Sequence, residues 1–203
     1  MSILKDLEAD FKGYWDGLKD SVDKTREDLK KDLDEAEEKA KADAAKASAD
    51  AKTDAKDAAD AVADKYKELR KALDEDIEKE KALVEAARKN DKKAMKEAVA
   101  KDKEALKEAE AKLKDEEKEG EGKIGEAKEA IEKNIAEEKQ IVAAKLEELK
   151  ADSDAESGKV KNAYEQEKAR LEARLAEIRK DVAENIAKTT QDIADAAKEK
   201  AGK

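Results

Sequence analysis

Between Leu33 and Val62 no apolar side chain is larger than alanine, yet the apolar positions keep one spacing. They are Leu33, Ala36, Ala40, Ala44, Ala47, Ala51, Ala55, Ala58 and Val62, in steps of three, four and four that repeat every 11 residues. Such a hendecad gives about 3.67 residues per turn, close to the ~3.6 of a straight α-helix. One apolar seam therefore runs almost parallel to a helix axis. The register extends outward to Tyr66, Leu69, Leu73, Ile77 and Val84, with Glu80 interrupting, and back through Leu29, Val22, Leu18, Tyr14, Phe11 and Leu7. Lys89-Asn90-Asp91 resembles a helix stop, but Val84, Met95 and Leu106 keep the step across it, so no break is expected there.

A seam this long in a chain of 203 residues does not make an ordinary globule. Leu, Ile, Val and Phe together number 31 of 203, below the roughly 20% at which compact cores become difficult. Charged residues make up 50% of the chain and aromatics 2%. With no proline and only seven glycines, local propensity favours helix throughout. The fold class expected is all-α: long extended amphipathic helices carrying a hendecad seam, paired as a helical hairpin or a coiled coil. Burying alanine returns little, so the stretch 33–62 should be the weakest part of any such coil.

The formal charge is −10, from 46 basic and 56 acidic residues closely interleaved. That pattern suits ion pairs along an exposed helix face and argues against a nucleic-acid partner, because no basic block exists to neutralise phosphates. The N-terminus lacks the apolar run of a signal peptide, and nothing approaches 18 consecutive apolar residues. The expectation is a cytoplasmic protein, with an organelle left open as the alternative.

Residues 3–22 are the most hydrophobic stretch, with Ile3, Leu4, Leu7, Phe11, Tyr14, Trp15, Leu18 and Val22 on one stripe. Two roles suit it: an aromatic anchor for a membrane or partner, or the best-packed end of a coil. Its polar face is net negative, which opposes anionic lipid and favours the coil.

Glycines at 120, 122 and 125 are the clearest interruption. Gly120, Gly122 and Gly125 each weaken a helix and permit positive φ, so they are expected to form a hinge. The division expected is a long N-terminal helical arm over 1–118, a hinge over 119–125 and a C-terminal arm over 126–203. The second arm resumes the seam as Ile124, Ala127, Ile131, Ile135, Val142, Leu146 and Leu149. Asp152-Ser153-Asp154-Ala155-Glu156-Ser157-Gly158 looks like a loop, yet Leu149, Val160, Leu171, Val182 and Ile193 keep steps of eleven across it, which implies a frayed or bent helix. Leu171, Leu175, Ile178, Val182 and Ile186 are the second candidate interaction seam. If the glycines make a hairpin, the shorter arm leaves about forty N-terminal residues overhanging. The overhang would carry the aromatic stripe and invite self-association, a lipid surface or a client protein.

Without histidine or cysteine, the commonest general bases, nucleophiles and metal ligands are missing. The Asp152 run imitates an EF-hand start but has Ser157 at the sixth position and Ala163 at the twelfth, where glycine and glutamate are needed. No phosphate-cradling loop occurs. The chain is expected to be no enzyme and to carry no cofactor or metal.

Asp195-Ala196-Ala197-Lys198-Glu199-Lys200-Ala201-Gly202-Lys203 resembles the 11-residue repeat of group 3 late embryogenesis abundant proteins. Ala40-Lys41-Ala42-Asp43-Ala44-Ala45-Lys46 and Asp54-Ala55-Lys56-Asp57-Ala58-Ala59-Asp60 are looser versions of it. The resemblance implies protection of proteins and membranes during drying, freezing or osmotic stress, with partial disorder when hydrated and helix gained on water loss. The 11-residue period is also similar to apolipoprotein-like lipid-surface helices, which carry bulkier apolar faces. The Leu/Ile-rich seam at 171–186 departs from the late-embryogenesis pattern and favours a paired coil in that region. A self-associating right-handed coiled-coil rod or spacer is the third expectation.

Overall fold

The computed structural model describes the backbone of residues 2–51, 55–122 and 126–201, and the side chains of 5–49, 56–122 and 128–199. All of the described backbone is α-helical, in three helices: α1 (Ser2–Ala51), α2 (Ala55–Gly122) and α3 (Glu126–Ala201). The fold class is therefore all-α, and the chain divides into two compact units to which all three helices contribute.

The first unit comprises residues 1–14, 87–122 and 126–165. Within it α2 and α3 run antiparallel, with Glu117 paired to Lys139 at 4.0 Å near the reversal. Its buried apolar residues are Leu7, Phe11, Met95, Val99, Ala109, Ile131 and Val160. Tyr14 of α1 stacks on Tyr164 of α3, ring centroids 4.8 Å apart.

The second unit comprises residues 15–51, 55–86 and 166–201. Here three helices surround one core of Trp15, Leu18, Val22, Leu29, Leu33, Val62, Tyr66, Leu73, Ile77, Val84, Leu171, Leu175 and Ile178. Asp23 pairs with Lys81 at 2.6 Å, Arg26 with Asp74 at 2.9 Å and Asp34 with Arg70 at 2.6 Å, which fixes α1 antiparallel to α2. Arg170–Glu80 and Arg174–Asp76 fix α2 antiparallel to α3.

This arrangement corrects the arm expected over 1–118. The chain doubles back inside the alanine stretch, because α1 ends at Ala51 and the antiparallel α2 begins at Ala55. No glycine or proline marks the place; a seam of alanines simply gives little up when it is interrupted. Residues 52–54 lie outside the described residues. The expected overhang is corrected as well. Leu7 and Phe11 are buried within the first unit, and Trp15, Leu18 and Val22 within the second, all by this same chain.

The hinge expected over 119–125 also shifts. Gly120 and Gly122 are the closing residues of α2 and neither has a positive φ; Gly125 lies outside the described residues. What Gly120 provides is close approach. A Cβ there would lie 2.9 Å from Ile131 Cγ2 and 3.5 Å from Ile135 Cδ1 on α3. The loop-like run 152–158 is unbroken helix within α3, with Ser153 and Glu156 buried on the seam. The seam also rotates locally near residue 146. Leu146 is 41% exposed while Val142, Lys145 and Leu149 take the half-buried positions.

Candidate functional site

The seam is the feature with functional content, and its polar members define it. In the second unit Thr25, Glu80 and Thr189 are buried where the register calls for an apolar residue, and Glu37 and Ser48 are buried one position past the ladder's Ala36 and Ala47. In the first, Ser153 and Glu156 are buried and Asp102 half-buried in the same way. A buried polar group is costly unless paired, so each partner specifies how the helices align.

Glu80 is the most enclosed of the charged members, its side chain 6% exposed. Arg170 donates from Nη1 to its Oε2 at 3.0 Å, and Arg174 Nε lies 3.4 Å from its Oε1. Both arginines have a second carboxylate on their own helix, Glu167 at 2.7 Å and Glu177 at 2.6 Å. These local hydrogen bonds are the first reason that both guanidinium pKa values are raised, with the Glu80 carboxylate adding to the effect.

Further along α1, burial pushes the Glu37 carboxyl up. Hydrogen bonds from Lys41 and Arg70, at 2.7 and 2.5 Å, outweigh it and leave the pKa lowered. The Asp23 carboxyl is lowered chiefly by its hydrogen bond from Lys81. Arg179 reaches Thr25 Oγ1 at 3.4 Å, joining α3 to α1. Tyr66 is fully buried, and burial raises the pKa of its hydroxyl, with the Thr190 hydroxyl offsetting only part.

The first unit holds the reverse case. Asp102 of α2 shares a hydrogen bond with Asp152 of α3, and that contact, then partial burial and the nearby Glu148 charge, raises its pKa against the opposing Lys145. Two carboxyls that meet across a helix pair hold a proton more tightly than either would alone.

At the alanine-only end of the second unit the helices leave space. Two cavities of about 190 and 380 Å³ adjoin there, both bordered by Ala44, Ala47, Ile193 and Ala197.

The sequence-derived interaction residues face inward within each unit, Leu7, Phe11 and Tyr14 in the first and the others in the second. Leu7, Phe11, Trp15, Leu18, Val22, Leu171, Leu175 and Ile178 are buried; Tyr14, Val182 and Ile186 are half-buried. The arginine pair at 170 and 174 was not singled out from sequence. Their signal was present, since Glu80 stood in an apolar slot and the two arginines recur four residues apart on one face of α3.

Among the described residues no group of three or more acidic side chains is placed to hold a metal ion, and no helix is long and apolar enough to cross a membrane. Fold and seam together define a class: highly charged, amphipathic helices packed against one another through 11-residue registers. Compared with known proteins, the chain matches no family model, no curated protein sequence and no solved structure.

Proposed function

We propose that this chain is a non-enzymatic protectant against drying, freezing or osmotic stress, which exchanges its own helix contacts for those of a client protein or membrane. The observation that supports the reading is the composition of the seam. Ala40, Ala44 and Ser48 on α1 and Thr189 on α3 occupy buried positions that a stable coil fills with leucine or isoleucine. Such a seam holds in water and opens at modest cost, while the exterior carries i,i+4 pairs such as Lys71–Glu75 and Lys180–Glu184 that keep each helix intact alone. The resemblance of 187–203 to the late-embryogenesis repeat supports the same reading. It takes the cytoplasm or an organelle lumen as the compartment, client surfaces or further copies of the chain as partners, and no nucleic acid.

The test is drying a labile enzyme with the protein and with serum albumin at equal mass. A second arm joins α1 to α2 with a reducible bismaleimide between cysteines placed at Asp23 and Lys81, in a chain with no other cysteine. Higher recovered activity than with albumin, reduced by the cross-link and restored by reductant, is the expected result. Recovery no better than albumin overturns it.

A structural spacer is the second reading, favoured by the Glu80–Arg170–Arg174 cluster, which fixes register rather than easing separation. A spacer keeps the same helicity and hydrodynamic size through drying and rehydration and gives no protection.

A further inference from the structure

Toward the chain reversal the first unit changes from three helices to two. α1 begins at Ser2, and its first turns border Met95, Val99 and Lys103 of α2. Beyond Lys103, α2 runs on to Gly122 beside α3 with no third helix among the described residues. The flank that α1 covers therefore continues uncovered over 103–122, about 30 Å at 1.5 Å per residue. Leu106 and Leu113 follow Val99 by two and four turns, so they share its flank, and both are half-buried. Leu146 precedes Tyr164, which stacks on α1, by five turns, and is 41% exposed.

The charges that border these leucines select the occupant. Lys103, Lys107, Glu110, Lys114, Glu117 and Glu121 recur in steps of four, three, four, three and four, which keeps them on one exposed stripe of α2. Read in reverse, every sign in the stripe inverts. A second α2 laid antiparallel about residue 112 thus sets Lys103 against Glu121, Lys107 against Glu117 and Glu110 against Lys114, each pair made twice by symmetry. A parallel copy in register sets like against like at all six. The uncovered stretch has its midpoint at the same place, so the partner's tip ends where α1 begins. We infer that two copies of the chain pair through this flank as an antiparallel two-fold dimer, a four-helix segment enclosing Leu106, Leu113 and Leu146 of both. Charges beside an apolar seam set partner and orientation in this way. A flank about 30 Å long and two helices wide presents about 600 Å² per copy, or about 1,200 Å² in total, the lower edge of stable interfaces, so the dimer is a weak one. Pairing uses the closed, hydrated chain, so it goes beyond the protectant reading and does not need it.

Sedimentation equilibrium of the full chain, from about 1 to about 300 μM, tests the inference. A monomer–dimer equilibrium that weakens as salt is raised is expected. The variants Lys103→Glu/Lys107→Glu and Glu117→Lys/Glu121→Lys should each dimerise more weakly by about tenfold or more, because the two-fold doubles every reversed pair. Helicity should not change, since all four side chains are exposed. Mixed at equal concentration, the two variants should recover wild-type association, because their heterodimer restores every opposite pair. Leu146→Asp should weaken the dimer as well, whereas Leu83→Asp, at a residue 52% exposed in the second unit, should leave it unchanged. A monomer at every concentration, growth beyond the dimer, wild-type association by both charge variants alone, or a mixture no tighter than its components overturns it. A mixture that recovers while the drying assay fails separates this surface from the protectant role.

Discussion

Removing the partners of Glu80 and removing Glu80 itself should have opposite consequences. In the variant Arg170→Gln/Arg174→Gln the carboxylate stays in place, 6% exposed, with both cations gone. Leaving a buried charge unpaired costs about 3–5 kcal/mol. The low end applies, because the arginine side chains are 39% and 32% exposed and water can follow them in. For a chain of this length about 1 kcal/mol moves Tm by roughly 2–4 °C, so about 3 kcal/mol is a fall of roughly 6–12 °C. Glu80→Leu restores the apolar slot and orphans neither arginine, since Glu167 and Glu177 remain 2.7 and 2.6 Å away. Replacing a buried ion by an apolar side chain is neutral or stabilising by about 1–4 kcal/mol, so its Tm should hold or rise. In the triple variant the double-glutamine loss should largely disappear. Urea and thermal unfolding followed by circular dichroism at 222 nm reads all three. A Glu80→Leu loss as large as that of the double variant would refute the reasoning, and so would a neutral double variant.

Acid should separate the two units. Asp23 and Glu37 have folded-state pKa values below the ordinary carboxylate range, so their stabilisation is present above about pH 4 and lost as pH falls through the lowered values. Asp102 is raised, so its contribution is present below about pH 4 and lost as pH rises through the raised value. A backbone NMR titration from neutral to acid should shift the amides around Asp102 before those of residues 23–37, and Asp102→Asn should remove that earlier step; the reverse order would contradict this. Gly13→Ala and Gly17→Ala meet nothing within 4 Å and should each add about 0.5–1 kcal/mol by propensity, measurable by urea titration. Gly120→Ala meets the 2.9 Å approach of Ile131 and should lose that gain or reverse it. Trp15, the one tryptophan, is 2% exposed, so its emission should be blue-shifted and shielded from iodide at micromolar concentration, whereas an overhanging stripe would be quenched freely.

Periodicity made the helices and most of the buried set legible in advance, because an 11-residue register lists the inward positions whatever lies opposite. Its continuity through 152–158 indicated helix rather than a turn, though the fraying or bend expected there is unbroken helix in α3, with Ser153 and Glu156 filling seam slots. The same continuity misled between Ala51 and Ala55. There the register of α1 happens to flow into that of α2, and phase alone does not distinguish one helix from two that meet in step. Pairing was the other blind spot. Glu80 read as an interruption because its partners are 90 and 94 positions away, and nothing local announces Arg170 and Arg174. The space beside Ala44 and Ala47 emerges only when three helices are set side by side.

The account stands on the chain filling its own seam, and residues 23 and 81 measure that most directly. Spin labels at those two positions, in dilute buffer with excess unlabelled protein to silence contacts between copies, report their separation by pulsed dipolar spectroscopy. Neighbouring helices lie about 8–10 Å apart, so with label arms the account predicts about 20 Å or less. A continuous helical arm would place the same residues about 87 Å apart at 1.5 Å per residue, and a distance of that order would contradict it.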